Sequence, residues 1–329
     1  DRSPSRGLGD VYKRQTIDGI ELVFDEEADD VIIKMIRDIR DCPVWGCKEC
    51  SKKISLKISH VASLLSNIVK PDDGYIIDIG CHIGTCSLPL AKMGYDIAAI
   101  DGSDRSITCL QEAAKRNDLS NIKAVKSVLS NGRQPCAFPQ SIESDSTMKF
   151  SALPVDANIL TSTLDQLVLE QKTFASFDKE CSLIKIDVGG YEKIILQGGE
   201  FTIANHRPVL YLEIDNSRLY SRGIKPVEVL NSLRKLDYHI AYPYWNLEDD
   251  LVSFREIDPL ALFPFGVRDI VCFHKKHNVK DEIMNFIINR WLPPHSHKKL
   301  YQMLLTARDE NPDSPHMDYY NSLITSELK

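Results

Sequence analysis

The stretch Tyr75 to Ser103, YIIDIGCHIGTCSLPLAKMGYDIAAIDGS, restricts the possible folds more than any other part of the chain. Tyr75 to Ile79 is a short, nearly continuous apolar run, the pattern of a strand buried on both faces of a parallel sheet. Gly80 and Gly84 follow, Thr85 to Lys92 has helical character, and Asp96 to Ile100 is a second apolar strand closed by Asp101. Strand, glycine turn, helix, strand and terminal acid together make a nucleotide-binding βαβ unit. Glycine lets the backbone turn sharply and lets a ligand approach the main chain with no Cβ in the way. Free amides at the start of the following helix suit an anionic group. Asp101 lies about 20 residues beyond the turn, where a strand-end acid accepts hydrogen bonds from a ribose diol.

The dinucleotide fingerprint G-x-G-x-x-G is absent. Asp78-x-Gly80-x-His82-x-Gly84 stands in its place. An acid two residues ahead of the first glycine suits a ligand carrying an ammonium group, such as the methionine part of S-adenosylmethionine. The cofactor-binding candidates are therefore Asp78, Gly80, Cys81, His82, Gly84, Asp101, Gly102 and Ser103. The competing reading is structural, with the glycines serving only a tight strand–helix turn.

The chain has 329 residues, 43% of them hydrophobic, enough for one large α/β domain with extensions or for two small ones. A net charge of −7 with no dominant basic face argues against a nucleic-acid backbone as the main partner. No apolar run reaches the ~18–20 residues that span a bilayer. Nine scattered cysteines, an odd number, read as reduced thiols of a cytoplasmic protein. Residues 1–15, DRSPSRGLGDVYKRQ, are polar, lack an apolar period and read as foreign to the fold. Cys42, Cys47 and Cys50, with His60, raise the question of zinc. Without a second C-x-x-C the favoured reading is a loop of free thiols, and no metal is expected.

An N-terminal helical extension is expected over 16–73, from a strand or hairpin arm at Thr16 to Phe24, a helix through Val31 to Ile39 and another over Ile54 to Val69. Ser103 and Asp104 cap a helix reaching about Asn117, and Ile122 to Leu129 is a third strand. Polar residues 131–160 read as an insertion. Further strands are expected at Ser182 to Val188, Pro208 to Asp215, Tyr238 to Tyr242 and Asp269 to Phe273. Helical segments at Asp281 to Trp291 and Lys298 to Leu305 form a C-terminal tail over 276–329. Strands alternating with helices give an α/β, doubly wound, seven-stranded, mostly parallel sheet over 74–275.

Between Gly74 and Phe273 the chain resembles the FkbM family of S-adenosylmethionine-dependent methyltransferases. The resemblance rests on DIGCHIG at 78–84, Asn117, TSTLDQL at 161–167, IKIDVGGYEKIILQGG at 184–199 and PVLYLEID at 208–215. It implies a class I Rossmann-like fold, S-adenosylmethionine as cofactor, and methyl transfer to a hydroxyl of a small molecule, sugar or lipid-linked acceptor. The family usually carries Asn where His82 stands, Glu where Asp101 stands, and a carboxylate where Gly189 stands.

Asp187 ends a strand beside the first one, at the carboxyl edge where open α/β sheets bind ligands, and is the leading catalytic candidate. His82 is a second, either as a base near neutral pH or through its backbone alone. Glu213 is a third, with site and structural roles equally weighted. Glu192 reads as a first-turn acid complementing a helix dipole, and His206 as a surface residue. Three functions follow in order: a small-molecule or glycan O-methyltransferase, a non-catalytic cofactor-binding module motivated by Gly189, and a nicotinamide oxidoreductase disfavoured by the missing glycine.

Overall fold

The computed structural model describes residues 12–17, 19–25, 61–136, 159–170, 177–245, 251–256 and 267–276. The expected helices at 31–39, 281–291 and 298–305, and the cluster Cys42, Cys47, Cys50 and His60, lie outside the described residues. Two compact units divide at the Glu213–Ile214 bond, inside the span expected to be one domain.

In the first unit, β1 (Tyr12–Ile17) pairs antiparallel with β2 (Ile20–Asp25). Gly19 turns the hairpin at φ 73°, a conformation that costs glycine little. The strand thus takes in Tyr12 to Gln15 from the segment expected to be foreign. Backbone pairing explains it, since an antiparallel partner satisfies peptide groups whatever the side chains are. The apolar contribution comes from β2, whose Ile20, Leu22, Val23 and Phe24 are buried.

The five strands β3 (Tyr75–Ile79), β4 (Ile97–Asp101), β5 (Ile122–Lys126), β8 (Cys181–Ile186) and β9 (Val209–Asp215) are joined by parallel pairing in the order β9-β8-β3-β4-β5. Two short strands, β6 (Pro135–Cys136) and β7 (Ile159–Leu160), pair beside this run in sequence as a separate antiparallel ribbon. The chain leaves β3 in one direction, through α1 (Ser87–Lys92) to β4 and α2 (Asp104–Arg116) to β5. It then returns to the other side of β3 for β8 and β9, by way of α3 (Leu164–Glu170), α4 (Glu192–Gly198) and α5 (Glu200–His206). Crossovers that leave β3 in opposite directions are the connectivity of double winding, since parallel crossovers are right-handed as a rule and so put helices on both faces. Burial is complete along β3, and β4 carries Ile97, Ala98, Ala99 and Ile100 at 1% exposure or less. The switch in strand order lies between β3 and β8, the place where such sheets bind ligands.

Asn117 ties the hairpin to α2. Its side-chain amide accepts from Glu21 N–H at 2.9 Å and donates to Glu21 O at 2.8 Å, imitating a strand neighbour.

The second unit contains α6 (Asn216–Ser221), α7 (Pro226–Lys235) and the strands β10 (Tyr238–Trp245), β11 (Leu251–Glu256) and β12 (Val267–His274). Both β11 and β12 pair antiparallel with β10. Asp215 caps α6, accepting from Ser217 N–H at 2.9 Å and Arg218 N–H at 3.2 Å. All seven strands expected from the sequence are present, mostly parallel in pairing, and β11 is an eighth. Its Leu251 and Val252 sit among acidic and polar residues, so no apolar run marks it in the sequence. With the flanking helices this is the class I methyltransferase, Rossmann-like set of elements.

Candidate active site

Register brings the predicted acids into line. Asp78 on β3 stands opposite Ala99 on β4 and Lys185 on β8, and Lys185 stands opposite Tyr211 on β9. Side chains on a strand repeat every two residues, so the next row on that face holds Asp101, Gly80, Asp187 and Glu213. The backbone bonds Gly80 N–H to Ile100 O at 2.9 Å and Asp187 N–H to Ile79 O at 3.0 Å carry the ladder into this row. Three carboxylates and one glycine thus share the carboxyl edge of four adjacent strands. Gly80, between Asp101 and Asp187, is the one position in the row without a side chain.

The glycines are required where they stand. A Cβ on Gly80 would lie 1.8 Å from Asp187 O, and one on Gly84 would lie 2.4 Å from Leu110 Cδ1. His82, at φ 51°, takes the left-handed conformation that Asn, Asp and His tolerate best among non-glycine residues. That conformational demand accounts for His in a position where the resembling family carries Asn. The His82 backbone N–H donates to Asp101 Oδ2 at 3.0 Å, and Ser103 N–H donates to Oδ1 at 2.8 Å. Burial pushes the Asp101 carboxyl up, and the Ser103 and His82 donors work against that rise. Ser103 also caps α2, its hydroxyl accepting from Ser106 N–H at 3.2 Å. Gly102 is half-buried beside it. Cys81 is buried with its thiol pushed up by burial, so it lines the loop as a small apolar residue.

Asp78, expected to meet an ammonium, lies beneath the loop rather than at its surface. It is fully buried, and the ammonium it meets is the chain's own: Lys185 Nζ donates to Oδ1 at 2.9 Å. The Ser87 hydroxyl donates to Oδ2 at 2.6 Å, fastening the start of α1 to β3. Lys185 Nζ also lies 3.4 Å from Asp187 Oδ2 and 3.4 Å from Gly80 O. Burial opposes its charge, but Asp78 and Asp187 overcome burial and hold the ammonium well above the usual lysine range. Lys185 and Ser87 were missed by motif reading. The available signal was one lysine in the otherwise apolar run Leu183 to Ile186, which a buried strand admits only if paired.

Asp187 follows β8, with its side chain 38% exposed. Gly189 and Gly190 turn after it at φ 61° and 96°. Glu192, opening α4, is buried to 0% exposure. Its Oε1 accepts from Gly190 N–H at 2.9 Å, and its Oε2 meets no partner among the described residues. Burial pushes this carboxyl up to about 7, with Asp187 adding to the rise and Gly190 N–H opposing it. Glu213 is half-buried on β9, and His206 closes α5, its ring Nδ1 accepting from Cys181 N–H at 3.5 Å. Among the described residues no cluster of His, Cys, Asp and Glu is placed to hold a metal ion. No helix among them is long and apolar enough to cross a membrane.

Residues 94–240 match the family model described as the Methyltransferase FkbM domain. That part of the chain, a little under half of it, is therefore similar to an FkbM methyltransferase domain. A second family model, the tellurite resistance protein TehB, matches residues 50–134 and covers the glycine loop at 80–84, which lies ahead of the FkbM match. Over 62 residues the chain is 36% identical to the 23S rRNA (uracil(1939)-C(5))-methyltransferase RlmD of Shewanella baltica. That match spans 19% of this chain and only 14% of the relative's length. Among solved structures, the Methyltransferase FkbM from Methylobacillus flagellatus is 14% identical with a TM-score of 0.39, covering 74% of this chain and 61% of that one. The tRNA (uracil-54, C5)-methyltransferase of Pyrococcus abyssi, in complex with S-adenosyl-L-homocysteine, is 14% identical with a TM-score of 0.38, covering 83% and 48%.

Proposed function

We propose that the FkbM-like domain transfers the methyl group of S-adenosylmethionine to a hydroxyl oxygen of a small-molecule, sugar or lipid-linked acceptor. The observation that carries this reading is the row Asp101, Gly80, Asp187, Glu213 at the switch point, with Gly80 packed without a side chain between two acids. Asp101 binds the ribose diol. The backbone of Gly80, Cys81, His82 and Gly84 backs the cofactor, in a turn made possible by two glycines with no room for a Cβ. Gly102 and Ser103 border the same pocket. Asp78 acts indirectly, by neutralising Lys185 and fixing Ser87. The chain's net charge of −7 favours an acceptor other than a nucleic-acid backbone.

Methyl transfer is an in-line displacement. The acceptor oxygen forms a bond to the methyl carbon as the carbon–sulfur bond breaks, and S-adenosylhomocysteine leaves. Most of the acceleration comes from holding oxygen, carbon and sulfur in line. Asp187 orients the acceptor hydroxyl and takes its proton as the new bond forms. Glu213, one strand away in the same row, borders the acceptor, and His82 shapes the loop through its backbone. Asp187→Asn is therefore expected to lower turnover about 100-fold or more on a methylated acceptor, with S-adenosylhomocysteine affinity within about threefold of wild type. Transfer of labelled methyl to sugars, lipid-linked glycans and RNA fragments tests the acceptor class. RNA as the preferred acceptor would overturn the proposal.

Gly189 supports a second reading, a cofactor-binding module without turnover. A glutamate at φ 61° costs about 1–2 kcal/mol in the left-handed region, so glycine relieves strain in this turn while removing an acid. S-adenosylhomocysteine binding by wild type, together with methyl transfer only after Gly189→Glu, would establish that module.

A further inference from the structure

Among the described residues, the Lys185 side chain touches the glycine loop, the buried acid beneath it and the exposed acid at the edge. Its three ammonium hydrogens have three acceptors within reach: Asp78 Oδ1 at 2.9 Å, Gly80 O at 3.4 Å and Asp187 Oδ2 at 3.4 Å. The Lys185 and Asp78 side chains are 6% and 1% exposed, whereas that of Asp187 is 38% exposed. Asp78 is itself held from the far side by Ser87. The ammonium is thus anchored at its buried end and presents its remaining reach to an acid that solvent would otherwise leave free to rotate. Asp78 and Lys185 face one another across β3 and β8, and Asp187 follows two residues later on the same face, so strand geometry fixes all three.

We propose that Lys185 is a positioning residue, holding Asp187 Oδ2 so that the carboxylate keeps one rotamer with Oδ1 turned to the acceptor. This rests on Asp187 being the acceptor-side acid. A carboxylate limited to one rotamer needs no reorganisation at the moment of transfer, which is where an anchored second charge helps. Asp78 serves as the counter-ion that lets an ammonium stay buried.

Three-bond coupling between the Asp187 amide nitrogen and its Cγ, measured by NMR on labelled protein, reports the χ1 rotamer. Asp187→Asn identifies the resonance. Lys185→Met alone leaves Asp78 buried without a partner and is at risk of not folding. The deciding variant therefore removes both charges, Asp78→Asn with Lys185→Met, and Asp78→Asn alone serves as the control that keeps the lysine. The expected result is a single-rotamer coupling in wild type and in the control, and an averaged coupling in the paired variant. A single-rotamer value surviving in the paired variant would overturn the proposal. Calorimetry with S-adenosylhomocysteine on the same samples separates the two readings. Wild type that fails to bind it sinks the methyltransferase assignment, while the coupling still decides what Lys185 does to Asp187.

Discussion

Glu192 should make the protein less stable as pH rises, by an amount that one substitution isolates. Its carboxyl is fully buried, Oε1 accepts from Gly190 N–H, backbone groups at Glu192 and Val188 also favour its charged form, and Oε2 meets no hydrogen-bond partner among the described residues. Burial raises it from 4.5 to about 7. The folded state therefore binds this proton more tightly than the unfolded chain does. The stabilisation is complete below about 4.5 and is lost as pH rises through about 7. A displacement of that size corresponds to roughly 3 kcal/mol between the two ends of the window. Glu192→Gln keeps an acceptor for Gly190 N–H and does not titrate. It also buries an amide with an unpaired N–H, costing about 1–3 kcal/mol, but this cost is the same at every pH. The slope therefore carries the test. Urea unfolding of wild type and variant at pH 5 and 8 should show the variant gaining about 2.5 kcal/mol relative to wild type over that interval, after scaling each curve by its own m-value. A stability difference identical at both pH values would show that Glu192 carries its charge in the fold and that the burial argument is wrong.

Two further substitutions test the cofactor side. Asp101→Ala should weaken S-adenosylhomocysteine binding roughly 10- to 100-fold, since a charged hydrogen bond contributes about 1.5–3 kcal/mol, and calorimetry giving an unchanged dissociation constant would remove Asp101 from the ribose site. Gly80→Ala places a Cβ 1.8 Å from Asp187 O at φ 76°, so main chain must move; a clear loss of melting temperature together with loss of cofactor binding is expected, and a wild-type thermal transition would contradict the close packing of β3 against the turn after β8.

Much of this architecture is legible from apolar runs. The parallel strands read as continuous hydrophobic segments because both faces are covered, and glycines at 80 and 84 mark turns whose neighbours leave no room for a Cβ. The acids were legible because each closes such a run. Asp78 shows where this reasoning stops. Spacing places it two residues before a glycine in exposed and buried settings alike, and only the strand opposite reveals that Lys185 meets it. Pairing partners 107 residues apart leave no local trace in a sequence. Strand β11 escaped because it is an edge strand whose apolar residues are broken up by Ser253, Arg255 and Glu256 and follow an acidic pair. The Tyr12 to Gln15 part of β1 escaped because pairing there depends on backbone, while its side chains read as a polar segment.

The charges around Gly80 are sorted by depth, and the sorting bears on what the site can hold. Asp78 and Lys185 cancel in the interior, at 2.9 Å and with almost no exposure. Glu192, also buried, sits near the pH at which it becomes neutral. Towards solvent the row retains Asp101 and Asp187 on either side of the glycine, so the edge presents negative charge on a neutralised floor. An unscreened carboxylate near a low-dielectric floor interacts with a nearby cation by several kcal/mol more than it would in water. A sulfonium gains from that field in the reactant state, and the neutral thioether formed by transfer does not. The same field works against a phosphate-rich partner entering from the carboxyl edge. On the proposed reading, Asp101 and Asp187 thus favour a cationic methyl donor over the neutral product that transfer leaves behind.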